Sequence, residues 1–389
     1  MSTLNVNEAR FTGCDDAAVL QAALDAARPG DTVVVPRYNA RRRSTLWQIA
    51  KALELPSGVR VLLDNCTLVQ ATGCYDNLFT NKPGAKGFSL IGLGNVELSG
   101  GEGNYLSQET QGLYGLPDVT VNAMFSFDGA SDFTLDNLAI TFPRWSTFRM
   151  QNCANVTVQR IFFDMIPHVP HLKGIQLECG CHDVTIDTLM GRCGEDVVSL
   201  VADEAIPVSP ETDIWNVNIR NFCVDQDKMT MVRIHPTGGH SIYHVIMDTI
   251  CDASHHYQKS RPASLITFGD ARFVPRRPAA LGEIRDIHAD HMFTRSHRAI
   301  CLSAPVQDSE FKNLLTYGDS IFVLNNTKPT SLKNVRFERL YYGKGSKPNV
   351  MDQFVGRTAK GSVAVRLNDV GGDYTIEKLL QDDEDMEEK

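Results

Sequence analysis

A three-point apolar pattern returns along the chain and constrains the fold more than any other feature. An apolar residue is followed by a second two positions later and a third five positions after the first. The copies are Phe133/Leu135/Leu138, Val156/Val158/Ile161, Val184/Ile186/Leu189, Val217/Ile219/Phe222, Val245/Met247/Ile250, Ile287/Ala289/Met292 and Val335/Phe337/Leu340. Weaker copies lie at Phe88/Leu90/Leu93 and near Leu314, and an Asn or Asp often comes just before, as at Asn155, Asp183 and Asn216. Apolar residues at i and i+2 mark a strand with one buried face. The odd offset of the third residue requires a bend between strands if all three are to point inward.

The anchors at 133, 156, 184, 217, 245, 287, 314 and 335 are 23, 28, 33, 28, 42, 27 and 21 residues apart. A base coil of roughly 20–25 residues, lengthened by loops on some turns, accounts for these intervals. The pattern predicts an all-β chain, a right-handed parallel β-helix in which each coil packs on its neighbours. A β-sandwich would instead show turns every ~8–12 residues and no shared rung.

The N-terminal segment is different. Asp15 and Asp16 are suited to cap a helix over about 15–28, with Val19, Ala22, Ala23 and Ala26 on one face and Pro29-Gly30 as its stop. Such a helix suits the exposed first coil of a solenoid. With no low-complexity linker, residues 1–375 read as a single β-helix domain. The acid-rich end, 376–389, reads as a solvated, disordered tail.

Composition narrows the partners. Hydrophobic residues make up 42% of the chain, enough for a sizeable core, and the net charge of −9 excludes the basic footprint of a nucleic-acid binder. No stretch approaches the ~18–20 apolar residues of a membrane span. The first residues lack the charged and apolar regions of a secretory signal. The ten cysteines are scattered without a C-x-x-C pair, so they read as reduced, mostly buried thiols in a cytoplasmic protein. The histidines lack metal-ligand spacing, so neither metal nor cofactor is expected.

Gly13-Cys-Asp-Asp-Ala-Ala-Val-Leu-Gln-Ala-Ala-Leu, followed by Gly30-Asp-Thr-Val-Val-Val-Pro, resembles the opening segment of the polygalacturonase-like glycoside hydrolases and of the pectate-lyase-superfamily β-helix proteins. Ser57-Gly-Val-Arg-Val-Leu-Leu-Asp-Asn-Cys-Thr-Leu resembles the rung that follows. Pro170-His-Leu-Lys-Gly-Ile-Gln-Leu and Gly194-Glu-Asp-Val-Val-Ser-Leu stand where polygalacturonases carry their active site. The likeness covers roughly residues 11–200. It implies an acid/base site in which Glu195 and Asp196 match the family's Gly-Asp-Asp pair. It also places Lys173 at a family aspartate and Gln176 at an acidic position of bacterial relatives. Gly238-Gly-His240 is loosely similar to the family's Gly-His-Gly loop.

On chemistry alone, hydrolysis of a glycosidic bond needs one carboxyl that gives a proton and one carboxylate. Adjacent carboxyls repel when both are charged, which favours that division of labour. A solvated turn pair is the bland alternative for Glu195-Asp196. Amide replacements at either position preserve shape, so folding is expected to change little.

Lys173 fits three roles: a structural ion pair, a contact to a substrate carboxylate, or the base of a β-elimination lyase. In the lyase reading Arg192 and Glu178 join it. Between 255 and 277 stand five Lys/Arg against one acid. Lys259, Arg261, Asp270 and Arg272 there read as an anion-binding loop or an oligomer contact. His171, Gln176, Arg233, His235 and His240 complete the expected substrate-binding set. Trp145 reads as a sugar platform or a core aromatic, and Cys179 and Cys181 as interior thiols.

The expected function is a carbohydrate-active hydrolase of short, uronate-containing oligosaccharides, with a homo-oligomer left open. A lyase using Lys173 and a non-catalytic carbohydrate-binding β-helix are the alternatives.

Overall fold

In a computed structural model the chain is described at residues 1–74, 76–101, 123–165, 172–203, 212–227, 229–254, 263–269, 277–296, 298–317, 320–324, 331–342, 351–352, 357–358 and 371–381. The architecture is a right-handed parallel β-helix, in two compact units. One comprises Met1–Gln176 with Cys181–Gly194, and the other Leu177–Gly180 with Glu195–Lys389.

In the first unit Thr3–Asn5, Thr32–Val35, Arg60–Asp64, Ser89–Leu93, Ser131–Thr141, Ala154–Asp164 and His182–Cys193 form one parallel ladder. Leu53–Leu55, Phe79–Asn81, Phe125–Asp128 and Phe148–Gln151 form a second. The second unit repeats this plan. Its long ladder runs Ile214–Gln226, Ile242–Asp252, Ile284–Thr294, Val306–Thr316, Ser331–Tyr342, Gly371–Gln381. Its other sheet holds Val198–Ala202, Thr230–Pro236, Ser264–Phe268, Arg298–Leu302 and Ser320–Leu324.

Each strong copy of the apolar pattern lies on a long strand and points inward. Phe133, Leu135 and Leu138 stack in register on Val156, Val158 and Ile161, which stack on Val184, Ile186 and Leu189. Val217, Ile219 and Phe222 stack on Val245, Met247 and Ile250. All of these are at most 2% exposed. Equivalent positions also stack their rings, as in Phe79, Phe125 and Phe148 at 5.4 and 4.5 Å between centroids.

The bend that the odd offset requires is a left-handed residue. From Ser131 onward each long strand up to Ser331–Tyr342 carries two of them, five positions apart: 132/137, 155/160, 183/188, 216/221, 244/249, 286/291, 308/313 and 334/339. The first of each pair is the Asn or Asp that precedes the pattern, except His244. Asn and Asp tolerate this conformation because their short polar side chains bond locally. Here they also bond from coil to coil: Asn155 Nδ2 donates to Asp132 at 3.0 Å, and Asn334 Nδ2 to Asp308 at 2.8 Å.

Two corners use threonine, Thr188 at φ 59° and Thr249 at φ 55°. A β-branched residue in this region is strained, at a cost of roughly 1–2 kcal/mol. Thr188→Asn is therefore expected to stabilise the protein by about 1 kcal/mol, raising the unfolding midpoint by about 2 °C. A lower midpoint in a thermal melt would show that the Thr188 hydroxyl contact to Asp187, at 2.9 Å, outweighs the strain.

The weaker copies sit differently. Leu93 is 42% exposed, and the third inward position on that coil belongs to the segment at Val96, 4% exposed. Extra residues there turn the chain at Gly92 and Gly94, where a Cβ on Gly92 would come within 2.0 Å of the Asn137 carbonyl oxygen. Near Leu314 the first inward position is Ser309, which pairs in register with Val335, so Leu314 is the third. Ser309 is 4% exposed, and its hydroxyl accepts from Ile287 N and donates to the Gln307 carbonyl. A satisfied hydroxyl fills an inward place that the apolar pattern passes over.

A fourth inward position, two beyond the third, is polar in several coils. Asp252 occupies one and is fully buried. Its carboxylate accepts from Ser254 and Ser296 N–H and from the hydroxyls of Ser254, Thr294 and Ser296. Donors of that number are what burial of a carboxylate demands.

The helix spans Asp16–Ala26, with Asp15 as its cap accepting from Ala18 N at 2.8 Å. Its buried face is Val19, Leu20, Ala23 and Leu24, laid on Leu46–Ile49 and Leu53–Leu55, whereas Ala22 is half-buried and Ala26 exposed. The two leucines carry more apolar surface than the alanines, so the helix rolls to bury them. Asp16 is itself buried, paired with Arg42 and accepting from Gln48 N. At the other end Gly371–Gln381 pairs in parallel with Ser331–Tyr342, bringing Ile376 beside Phe337 and Leu379 beside Leu340. The ladder therefore runs six residues into the segment whose charge reads as tail.

Six of the ten cysteines are buried. Burial, reinforced by the charge of Asp64, pushes the Cys66 thiol up to about 12, and burial pushes Cys179 up to about 11.

Candidate active site

Four strands of the second unit's shorter sheet, from Val198–Ala202 to Arg298–Leu302, are buried on both faces at every position but Val201. Along Thr230–Pro236, Val232 and Ile234 point into the coil, while Met231, Arg233 and His235 point outward and are still no more than 7% exposed. Register puts Ser199, Arg233, Thr267 and Cys301 in one outward row, and Val201 beside His235. Ser199 is fully buried, and its hydroxyl has no hydrogen-bond partner among the described residues.

At the head of this sheet the chain turns through Gly194-Glu195-Asp196 into Val198–Ala202. A Cβ on Gly194 would come within 2.8 Å of Leu172 Cβ, so the close approach there requires glycine. Glu195 is half-buried, whereas Asp196 is 1% exposed. Both oxygens of Asp196 face Arg233: Nε donates to Oδ2 at 2.7 Å and Nη2 to Oδ1 at 3.0 Å. A fork of this kind is the strongest geometry open to an arginine and a carboxylate.

The structure thus separates two residues that the sequence treats alike. Glu195→Gln alters a half-buried side chain and should leave stability within about 0.5 kcal/mol. Asp196→Asn removes the counter-charge of a buried guanidinium, which costs roughly 3–5 kcal/mol. Replacing both members by apolar residues, Asp196→Leu with Arg233→Met, is expected to recover most of that loss. Equal unfolding midpoints for wild type and Asp196→Asn would show that the pair contributes nothing.

The other expected residues are placed as follows. His240 is half-buried in the turn after this sheet's second strand, its N–H donating to the Thr237 carbonyl at 3.1 Å. Gly239 in that turn lies against the Arg277 guanidinium, which also pairs with Glu283 at 3.2 Å. Thr237 donates to Asp203 at 3.0 Å. Lys173 and Gln176 are half-buried in the first unit, where the Lys173 carbonyl accepts from Thr147 N at 2.9 Å. His171, Lys259, Arg261, Asp270 and Arg272 lie outside the described residues.

Trp145 is 8% exposed and so packs in the interior rather than presenting a face to sugar. Among the described residues no three His, Cys, Asp or Glu side chains are grouped to hold a metal, and no helix is long and apolar enough to cross a membrane.

The Asp196–Arg233 fork and the buried Ser199 were not anticipated. The signal available was the alternation in Val-Arg-Ile-His: an arginine and a histidine at outward positions of an otherwise apolar strand.

No family model matches the sequence. No curated protein matches it in sequence either. Solved structures do match in fold. An exopolygalacturonase from Thermotoga maritima superposes with a TM-score of 0.64 at 11% identity, over 98% of this chain and 91% of its own. A polygalacturonase from Erwinia carotovora gives 0.57 at 14% identity, over 90% and 96%. A surface adhesin of Streptococcus pneumoniae gives 0.59 at 14% identity, over 98% and 93%. The fold is thus shared by polygalacturonases and by an adhesin.

Proposed function

We propose that this chain is a carbohydrate-active β-helix enzyme that hydrolyses glycosidic bonds in short acidic oligosaccharides, with Glu195 as the group that transfers the proton. The observation that carries this is the contrast within the adjacent pair. Asp196 has both oxygens in a bidentate contact with Arg233. Asp196 is therefore committed to Arg233, and Glu195 is the carboxyl of the pair that stands outside that fork. Glu195, half-buried at the head of the sheet, is the member able to reach a leaving oxygen. Polygalacturonases with the same fold support the substrate class.

His235 and His240 are assigned to binding the sugar. Lys259, Arg261 and Arg272 are assigned to binding the anionic group of the substrate, and Asp270 to accepting from a sugar hydroxyl. A second reading, carbohydrate binding without cleavage, is favoured by one feature: the fork that fixes Asp196 occupies both of its oxygens. The fold match to an adhesin is compatible with it.

Incubation with a panel of uronate-containing oligosaccharides, followed by product mass and ultraviolet absorbance, separates the readings. Products carrying one added water support hydrolysis. Unsaturated ends without added water would transfer the reaction to a lyase with Lys173 as base. Binding with no product would support the second reading.

A further inference from the structure

Cys223 and Cys251 lie on neighbouring parallel strands of the second unit, Ile214–Gln226 and Ile242–Asp252, in direct register. Both follow a left-handed corner, at Asn221 and Thr249, and both point outward. Cys223 is exposed and Cys251 is half-buried. Neighbouring strands run ~4.7–4.9 Å apart, within the ~4.4–6.8 Å between Cα atoms that a disulfide spans. None of the candidate site's residues takes part.

We propose that Cys223 and Cys251 form an oxidisable dithiol site that closes into a disulfide between coils, with a low-molecular-weight disulfide such as glutathione disulfide as oxidant. The two thiols have unequal roles. Exposed Cys223 meets the oxidant first: its thiolate attacks one sulfur of glutathione disulfide and expels one glutathione thiolate. Cys251 then loses its proton, attacks the Cys223 sulfur and expels the second glutathione. Two thiols become one disulfide while one glutathione disulfide becomes two glutathiones, so two electrons and two protons are passed on.

Burial first, and then the adjacent Cys223, push the Cys251 thiol up to about 11, which suits a thiol that does not react with the oxidant directly. The mixed disulfide removes the like charge of Cys223 and holds a reactive sulfur beside Cys251. Arg295, an exposed cation whose charge favours the Cys251 thiolate, also attracts an anionic oxidant.

The test is native incubation of the full chain, and of Cys223→Ser and Cys251→Ser, with glutathione disulfide, followed by intact mass and peptide mapping. Wild type is expected to give a Cys223–Cys251 linked peptide, lacking two hydrogens and retaining no glutathione at either position. Its thermal midpoint should rise by a few degrees and return with dithiothreitol, because the bond closes a loop in the unfolded chain. Cys251→Ser should hold a stable glutathione adduct at Cys223, and Cys223→Ser should leave Cys251 unmodified over the same time. A wild-type protein that keeps glutathione on Cys223, or leaves both thiols free after prolonged incubation, would overturn the proposal. So would linkage of either residue to a different cysteine.

Discussion

Val184→Asp is expected to leave the protein largely unfolded or insoluble at ambient temperature. Val184 is 1% exposed and stacks on Val156, with Ile186 two positions on stacked on Val158. Aspartate there puts a carboxylate into the buried stack against Val156, at a cost of several kcal/mol whether it stays charged or takes up a proton. A solenoid spreads that damage, since each coil is held mainly by the coils beside it. Thr185→Asp is the control: Thr185 is half-buried and faces outward, in register with Thr157. It should shift stability by no more than about 0.5 kcal/mol. Circular dichroism and a denaturant titration on both variants decide the matter. Equal damage from the two substitutions would contradict an inward Val184 and an outward Thr185.

Glu195→Gln should lower turnover on the true substrate by about 100-fold or more, the scale of losing a general acid or base. That fold-change equals about 2.7 kcal/mol of transition-state stabilisation. The amide keeps the shape and hydrogen-bonding reach of the side chain but cannot deliver a proton, so KM should move little. Asp196→Asn is the weaker probe, because its effect on rate is mixed with the loss of the Arg233 fork. Comparing kcat at a temperature where both variants remain folded separates the two causes. A Glu195→Gln protein with near-normal turnover would place the chemistry elsewhere on the molecule.

For Lys173 the split between kinetic constants is informative. A raised KM with unchanged kcat would mark a binding role, and a collapse of kcat the base of an elimination.

The sequence by itself determined the coil. Inward residues recur at fixed offsets because a strand alternates its faces. The corner is written in Asn and Asp because few other residues accept a left-handed backbone at low cost. Val156, Val184 and Val217 could therefore be assigned to the interior without a structure, and Asn155, Asp183 and Asn216 to the corner before it.

The same rule fails where the interior is held by other means. Ser309 fills an inward place with a satisfied hydroxyl, Asp252 fills one with a carboxylate ringed by donors, and Leu93 is turned outward by a glycine-bearing loop. A pattern of apolarity cannot register any of the three.

The candidate site was legible as residue types and not as partners. Glu195 and Asp196 are neighbours in sequence, yet only the tertiary structure divides them. Asp196 is joined to Arg233, 37 positions away, across the space between two strands of one sheet. That distance along the chain is one coil plus its loop, and loop length varies from coil to coil. Which polar side chains meet across coils therefore depends on loop length as well as strand register, and the apolar spacing records only the register.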